Sequence, residues 1–233
     1  MPQAPFTEPT TAYWQELLPA DRAPAAEPPW QFGYPAKLPD GRMLVLPIRA
    51  IASEPTHAVA SLILNQAALD VADALAEMLA RKLADTFAPD LLVGLPTLGL
   101  SLAAPVARAL GHPRYAPLGY SRKFWYDEAL SAPVQSITSP VPGKRIYLDP
   151  NLLPLVKGRR VVVVDDAVST GTTLRAAWDL LEALGIEVVG AGVAMKQGKR
   201  WEQALGSERA ERVVGVFESP LLTLGDQGWV LQD

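Results

Sequence analysis

The chain of 233 residues has no cysteine, which excludes disulfides, thiolate metal sites and a cysteine nucleophile. Its two histidines, His57 and His112, are too few for a histidine-built metal centre and read as turn or surface residues. No run approaches the roughly 18 consecutive apolar residues of a membrane span, and the first residues lack the charged-then-apolar order of a secretory signal. Neither charge sign dominates: 21 Lys and Arg stand against 25 Asp and Glu, a formal net charge of −4. That balance offers no general attraction to nucleic acid or to an anionic membrane. A cytoplasmic protein with neither kind of partner is the expectation.

Hydrophobic residues make up 49% of the chain, enough for one large domain or one domain with appendages. Residues 1–33 are dense in Pro, Ala and Glu around Tyr13-Trp14-Gln15-Glu16-Leu17-Leu18, which predicts an arm that docks by its aromatics, because the prolines forbid a long helix. Two extended runs between Tyr34 and Ile48 flank Pro39-Asp40-Gly41-Arg42, a hairpin signal. From about Asn65 to Asp85, Val71, Ala72, Leu75, Met78, Leu79 and Leu83 recur at helical spacing. Strands are then predicted at Leu91–Gly94, Arg114–Gly119, Arg145–Leu148, Arg160–Val164 and Glu187–Ala194, with helices from Gly99 to Leu110 and from Thr172 to Leu184. This alternation argues for an α/β fold, a doubly wound and mostly parallel sheet with helices on both faces. Ligands of such sheets bind beyond the carboxyl ends of the strands.

The chemistry concentrates at Val161 to Thr173. Four valines run into Asp165 and Asp166, then Ala167-Val168-Ser169-Thr170-Gly171-Thr172-Thr173 opens a helix. A helix start presents unpaired N–H groups and a positive dipole end, which suits a phosphate. Adjacent ionised carboxylates accept hydrogen bonds from hydroxyls or hold a hydrated divalent cation. Phosphate on one side and diol on the other describe a sugar-phosphate site. The ATP-type loop is excluded, since no Gly-Lys-Ser/Thr ending is present. A second turn, Gly94-Leu95-Pro96-Thr97-Leu98-Gly99, is bounded by glycines and exposes N–H groups with the Thr97 hydroxyl beside them. A third stretch, Gly119-Tyr120-Ser121-Arg122-Lys123-Phe124-Trp125-Tyr126, opens about 24 residues without clear periodicity, the length of a lid or binding loop.

The Val161–Thr173 stretch resembles the signature of type I phosphoribosyltransferases, the enzymes that use phosphoribosyl pyrophosphate (PRPP), and the order of the three elements resembles their purine members. The resemblance covers about residues 60–195. It implies a single phosphoribosyltransferase domain over 34–233, with a core at about 60–195 and a small hood from 34–58 and 196–233. It implies a 5′-phosphate site at Ala167, Ser169, Thr170, Gly171, Thr172 and Thr173, and a pyrophosphate loop at Pro96, Thr97, Leu98 and Gly99. Asp165 and Asp166 would grip the ribose diol and a Mg²⁺ ion, through ribose hydroxyls or water. Arg122 and Lys123 would act with them in catalysis at the entry to a lid whose far limb lies near Ser136-Ile137-Thr138-Ser139.

Base recognition falls to the hood in this family. Lys196 resembles the lysine that reads an exocyclic oxygen in 6-oxopurine members, and Phe217 offers a face for a flat heterocycle. Two departures stand out. Ser169 takes the position of an aspartate proton acceptor in the 6-oxopurine members. The acidic residue of the adenine-type pyrophosphate loop is absent around Thr97. No general base is therefore assigned by resemblance, and the nucleobase stays open. The implied activity is transfer of phosphoribosyl from PRPP to a nucleobase, a purine first, by a homodimer. The alternatives are a PRPP- or nucleotide-sensing regulator on the same fold and a pyrophosphokinase relative.

Overall fold

The computed structural model describes residues 12–134 and 144–232. Gly33–Lys37 (β1) turns at residues 38–42 into Met43–Ile51 (β2), and Glu54–Ala60 (β3) follows. The turn closes through Leu38 N–H to Arg42 C=O at 2.8 Å, with Gly41 at φ +87°, a conformation that glycine adopts without steric penalty. Leu69–Thr86 (α1) is the amphipathic helix, and Val71, Leu75, Met78, Leu79 and Leu83 form its buried stripe. Then come Leu91–Gly94 (β4), Gly99–Ala109 (α2), Ala116–Gly119 (β5), Ser131–Pro133 (β6) and Arg145–Leu148 (β7). Leu153–Val156 (α3) precedes Arg160–Val168 (β8), Thr172–Ala183 (α4) and Glu187–Gln197 (β9). Arg200–Leu205 (α5), Ser207–Ala210 (α6), Val213–Ser219 (β10), Leu221–Gly225 (β11) and Gly228–Leu231 (β12) complete the chain.

Two sheets result. The larger has the order β10-β9-β8-β4-β5-β7-β6, and its first five strands run parallel. Alternate valines of β8 serve opposite faces: Val162 and Val164 pack with α1 and α2, and Val161 and Val163 pack with α4. A strand buried on both faces is what an unbroken valine run encodes. The smaller sheet, β1-β2-β3-β11-β12, is antiparallel and joins residues 33–60 to the C-terminal residues 221–231.

Two details differ from the sequence expectation. The expected strand Arg145–Leu148 forms, but antiparallel to β5. Parallel pairing needs a crossover, usually helical, whereas β7 pairs with β6 directly as an antiparallel ribbon. Residues 196–219 were expected in the hood, yet β9 continues to Gln197 and β10 extends the parallel sheet. The helices α5 and α6 between them complete a β-α-β crossover, which returns the chain parallel. Only β11 and β12 join the second sheet from this end.

Residues 12–32 lie along the protein without an α-helix. Trp14 is 1% exposed within the core that contains α1, and its Nε1–H donates to Ser61 C=O at 3.1 Å. Leu18 bridges to Met43, and Trp30 to Trp229. Trp14→Ala removes a large buried ring and is expected to destabilise the fold by about 3–5 kcal/mol. Urea unfolding monitored by circular dichroism checks this; a midpoint equal to that of the parent chain would show that the segment adds nothing.

Candidate active site

Numbering only the parallel strands in chain order, the sheet reads 2-1-3-4-5, and the order reverses between β4 and β8. The crevice at such a reversal, outside the carboxyl ends of the strands, is where open α/β sheets bind ligands. The turn after β4 leaves the sheet there, and Asp165 and Asp166 lie in β8, one and two residues past the level at which β4 ends. The turn and the strand are joined by Leu95 N–H to Val164 C=O at 2.9 Å.

Their approach is closer than most residues would allow. A Cβ on Gly99 would meet Asp165 Oδ1 at 2.7 Å, and Asp165 Cα and Val164 O at 2.8 Å. Glycine is therefore required at position 99, and its N–H donates to the Asp165 carboxylate. Pro96 is buried, the Pro96–Thr97 peptide is cis, and Thr97 stands exposed at the tip of the turn. The turn exposes Thr97 at its tip, and its end at Gly99 packs against Asp165.

Asp166 is buried and Asp165 partly buried, and Asp166 N–H donates to Asp165 Oδ1 at 3.0 Å. Loss of solvent pushes both carboxyls up, Asp165 well above the ordinary range, where the neighbouring Asp166 charge adds to the effect. Two carboxyls this close share protons rather than ionise independently. They offer oxygen ligands that gain from a cation or from donor hydroxyls. Among the described residues no group of three or more His, Cys, Asp or Glu could hold a metal by itself. A pair of carboxylates fits Mg²⁺ nonetheless, since that ion is commonly held by one or two carboxylates together with substrate phosphates.

Beyond the acids, Gly171 sits at φ +74° as the N-cap of α4, and a Cβ there would meet the Trp201 backbone at 3.1 Å. Gly171 as N-cap makes no side-chain hydrogen bond, and Thr172 N–H reaches only the Thr170 hydroxyl at a long 3.5 Å, so N–H groups of the first turn are left available beside Thr170, Thr172 and Thr173. The Thr170 and Thr172 hydroxyls lie 3.0 Å apart. Ala167 and Ser169 are partly exposed on the same turn. The result is a helix start fringed with hydroxyls, suited to an anion.

Arg122 and Lys123 follow the carboxyl end of β5 at this same edge, and both are exposed. Arg122 Nη1 lies 3.4 Å from Glu128 and pairs there rather than with Asp165 or Asp166. Ser136 to Ser139 lie outside the described residues. The two expected base readers are corrected. Phe217 is 4% exposed in the core beneath α1, so its ring has no face for a ligand. Lys196 is held by Glu218 at 2.8 Å, and its ammonium lies 5.8 Å from the Trp201 ring centre.

The next residue takes its place. Val168 pairs with Lys196 across β8 and β9, which sets Gln197 beside Ser169 at the strand ends. Gln197 lines a cavity between the two sheets together with Ser169, Thr170, Glu54, His57 and Arg200. Its Nε2–H donates to Ala60 C=O at 2.9 Å, so the amide is pinned and Oε1 is the atom left to accept. Period-two alternation along β9 is the signal that separates Gln197 from Lys196. Nothing in the sequence signalled His57 and Glu54, which come from β3 of the other sheet.

Residues 61–209 match the model of the phosphoribosyl transferase domain family, well over half of the chain. The chain belongs to that family. Among its curated relatives in the phosphoribosyltransferase family, it is 35% identical to the adenine phosphoribosyltransferase of Gluconobacter oxydans over 119 residues, covering 46% of this chain and 56% of that protein. It is 30% identical to the orotate phosphoribosyltransferase of Halorhodospira halophila over 138 residues, covering 58% and 56%. The match thus spans little more than half the length of these relatives. The fold is shared with the APRTase of Giardia lamblia complexed with 9-deazaadenine, at a TM-score of 0.58 and 19% identity over 74% of this chain and 93% of that one. It is also shared with the adenine phosphoribosyltransferase of Rhodothermus marinus, at 0.56 and 20% over the same shares. No helix among the described residues is long and apolar enough to cross a membrane.

The raised Asp165 carboxyl has a consequence for stability. A folded-state pKa above the unfolded one means that the protonated form favours folding below the ordinary carboxylate range, and that this advantage is lost as pH rises through the raised value. Asp165→Asn carries no charge and keeps an acceptor for the Gly99 and Asp166 N–H groups. It is expected to raise the melting temperature at pH 8 by about 2–4 °C. The gain should shrink to nothing below about pH 4. Thermal melts across pH check this; an equal or lower melting temperature at pH 8 would contradict it.

Proposed function

We propose that the chain transfers a 5-phosphoribosyl group from PRPP to a ring nitrogen of a nucleobase, releasing pyrophosphate. The observation that carries this reading is the contact of Gly99 with Asp165, which sets the exposed turn at Thr97 against a carboxylate pair, followed by the start of α4, whose N-cap makes no side-chain hydrogen bond. Three chemistries needed for one substrate meet at one sheet edge: a pyrophosphate cradle, a diol and cation grip, and a monophosphate socket.

In this reading Ala167 and Ser169 to Thr173 hold the 5′-phosphate, through N–H groups and hydroxyls. Asp165 and Asp166 accept hydrogen bonds from the ribose hydroxyls. Their charge also favours the positive ribosyl centre that forms as the C1–oxygen bond loosens. The Pro96–Gly99 turn receives the departing pyrophosphate, with Arg122 and Lys123 closing over it once released from Glu128. Asp165 and Asp166 would also hold Mg²⁺, directly or through water, and that ion would neutralise pyrophosphate charge. Positioning and electrostatics carry the reaction, so no covalent nucleophile is required. Residues 34–233 act as one phosphoribosyltransferase unit, with residues 1–33 as a docked arm. Phe124, fully exposed beside Arg122 and Lys123, belongs to a lid or to contact with a second copy.

The base belongs beside Gln197. Its pinned amide presents an acceptor, Oε1, which pairs with an exocyclic amino group and not with an oxo group. That favours an aminopurine, adenine, in line with the names of several relatives, although orotate enzymes are also among them. The deciding assay is pyrophosphate release from PRPP with Mg²⁺ in the presence of adenine, guanine, hypoxanthine, xanthine, uracil or orotate. Release should be fastest with adenine. If PRPP raises the melting temperature yet no base elicits pyrophosphate, PRPP is an effector and not a substrate. In Asp165→Asn/Asp166→Asn, turnover should fall by at least about 10³-fold with the fold intact, since the double variant removes the charge at the reacting centre. Turnover like that of the parent chain would sink the assignment.

A further inference from the structure

Forming a bond between C1 and a base nitrogen that carries hydrogen displaces a proton, and the groups described so far provide no acceptor at the base. Ser169 is an alcohol, Gln197 is an amide, and Asp165 and Asp166 are committed to the ribose. The cavity that Ser169 and Gln197 line has one further wall, contributed by β3 of the antiparallel sheet. That wall carries His57, whose side chain is 34% exposed and therefore reachable by a ligand.

We propose that His57, steadied by Glu54, is the catalytic proton acceptor for the incoming nucleobase. The inference rests on the transferase reading above. The ring is oriented from one side only. Glu54 Oε2 lies 3.7 Å from Nδ1, and the Thr56 hydroxyl lies 3.3 Å from the same nitrogen. A proton on Nδ1 directed at these oxygens leaves Nε2 as an unprotonated acceptor, and no described residue hydrogen-bonds it. His57 is also held in place by its strand: it pairs with Thr223 of β11, and the Thr223 hydroxyl donates to Thr56 C=O at 3.3 Å. A carboxylate on the far nitrogen both fixes the tautomer and stabilises the imidazolium that forms.

The charged groups around this imidazole are few. Glu54 comes from its own strand, and Arg200 comes from α5 across the cavity. β11 carries no ionisable side chain, and Arg49 of β2 is turned to the Ser61 hydroxyl at 3.0 Å. The serine at position 169 also makes sense in this arrangement. With the acceptor on the opposite wall, a third carboxylate beside Asp165 and Asp166 would add only repulsion.

The step balances as follows. The C1–oxygen bond breaks with its electron pair going to pyrophosphate. The lone pair of the base nitrogen forms the C1–N bond, and the N–H proton passes to His57 Nε2. The imidazolium then releases that proton to solvent.

The test compares the parent chain with His57→Ala, using PRPP, Mg²⁺ and adenine. General base catalysis is worth about 10²–10⁴-fold, so kcat should fall at least about 100-fold. The rise in melting temperature with PRPP should be unchanged, because His57 does not touch the phosphoribosyl group. Free imidazole should restore part of the lost rate in His57→Ala, more at pH 8 than at pH 6. Glu54→Gln should lose less and should not respond to imidazole. If His57→Ala does not fold, His57→Gln carries the same expectation for kcat. A kcat within about threefold of the parent chain overturns the proposal, as does a loss that imidazole cannot restore in a folded variant that binds PRPP. In either case the transferase reading survives, because the parent chain turns over. Absence of base-dependent pyrophosphate release in the parent chain overturns both.

Discussion

The approach of Gly99 to Asp165 is the constraint on which the site depends. β4 ends at Gly94, level with Val164 of the adjacent parallel strand β8, and the turn leaving β4 rests on Asp165 as β8 runs on to Val168. No other residue fits at position 99 without moving backbone, and without that contact the N–H loop and the carboxylates would be separate features of one edge. The contact depends in turn on the sheet being buried on both faces. Leu91–Gly94 and Val161–Val164 are fixed by α1 and α2 on one side and α4 on the other, so their ends have little freedom to shift.

The same closeness makes the carboxylate pair costly to ionise. Burial raises both groups, the Asp166 charge raises Asp165 further, and hydroxyls or a divalent cation are the kinds of partner that would offset that cost. Stability is set aside locally so that binding energy has somewhere to be expressed, a common arrangement at functional sites. The helix start after Gly171 follows the same logic. Gly171 has no side chain to cap it, and Thr172 N–H reaches only the Thr170 hydroxyl at 3.5 Å, a loss in the isolated chain that an anion at a helix start would offset.

The second sheet supplies the other half of the cleft. It is assembled from residues 33–60 and 221–231, and the segment from Trp14 to Trp30 fastens to it through the Leu18–Met43 and Trp30–Trp229 bridges. A surface drawn from both stretches of that sheet, between Glu54 and Val59 and at Leu221, lines the cavity with Ser169 and Gln197. Variation there can alter the cavity without disturbing the sheet edge that carries Asp165, Asp166 and the start of α4. Membership of a family whose relatives include both adenine and orotate enzymes accords with that division of labour.

The sequence by itself determined the parallel core, its strand ends and the motif loops. Those features are local: a valine run, a stripe at helical spacing, and an acid pair followed by hydroxyls and glycine each carry their meaning within a dozen residues. It did not determine the direction of β7, the sheet to which β10 belongs, or the residues that line the cavity between the sheets. Those depend on how distant segments pair. Phe217 reads as a face for a flat heterocycle until α1 covers it. Lys196 reads as a ligand until strand alternation turns it to Glu218 and brings Gln197 to the cleft. His57 has no sequence context at all, because its neighbours at the site, Ser169 and Gln197, are more than a hundred residues away. Only the packing of one sheet against the other puts them in one cavity.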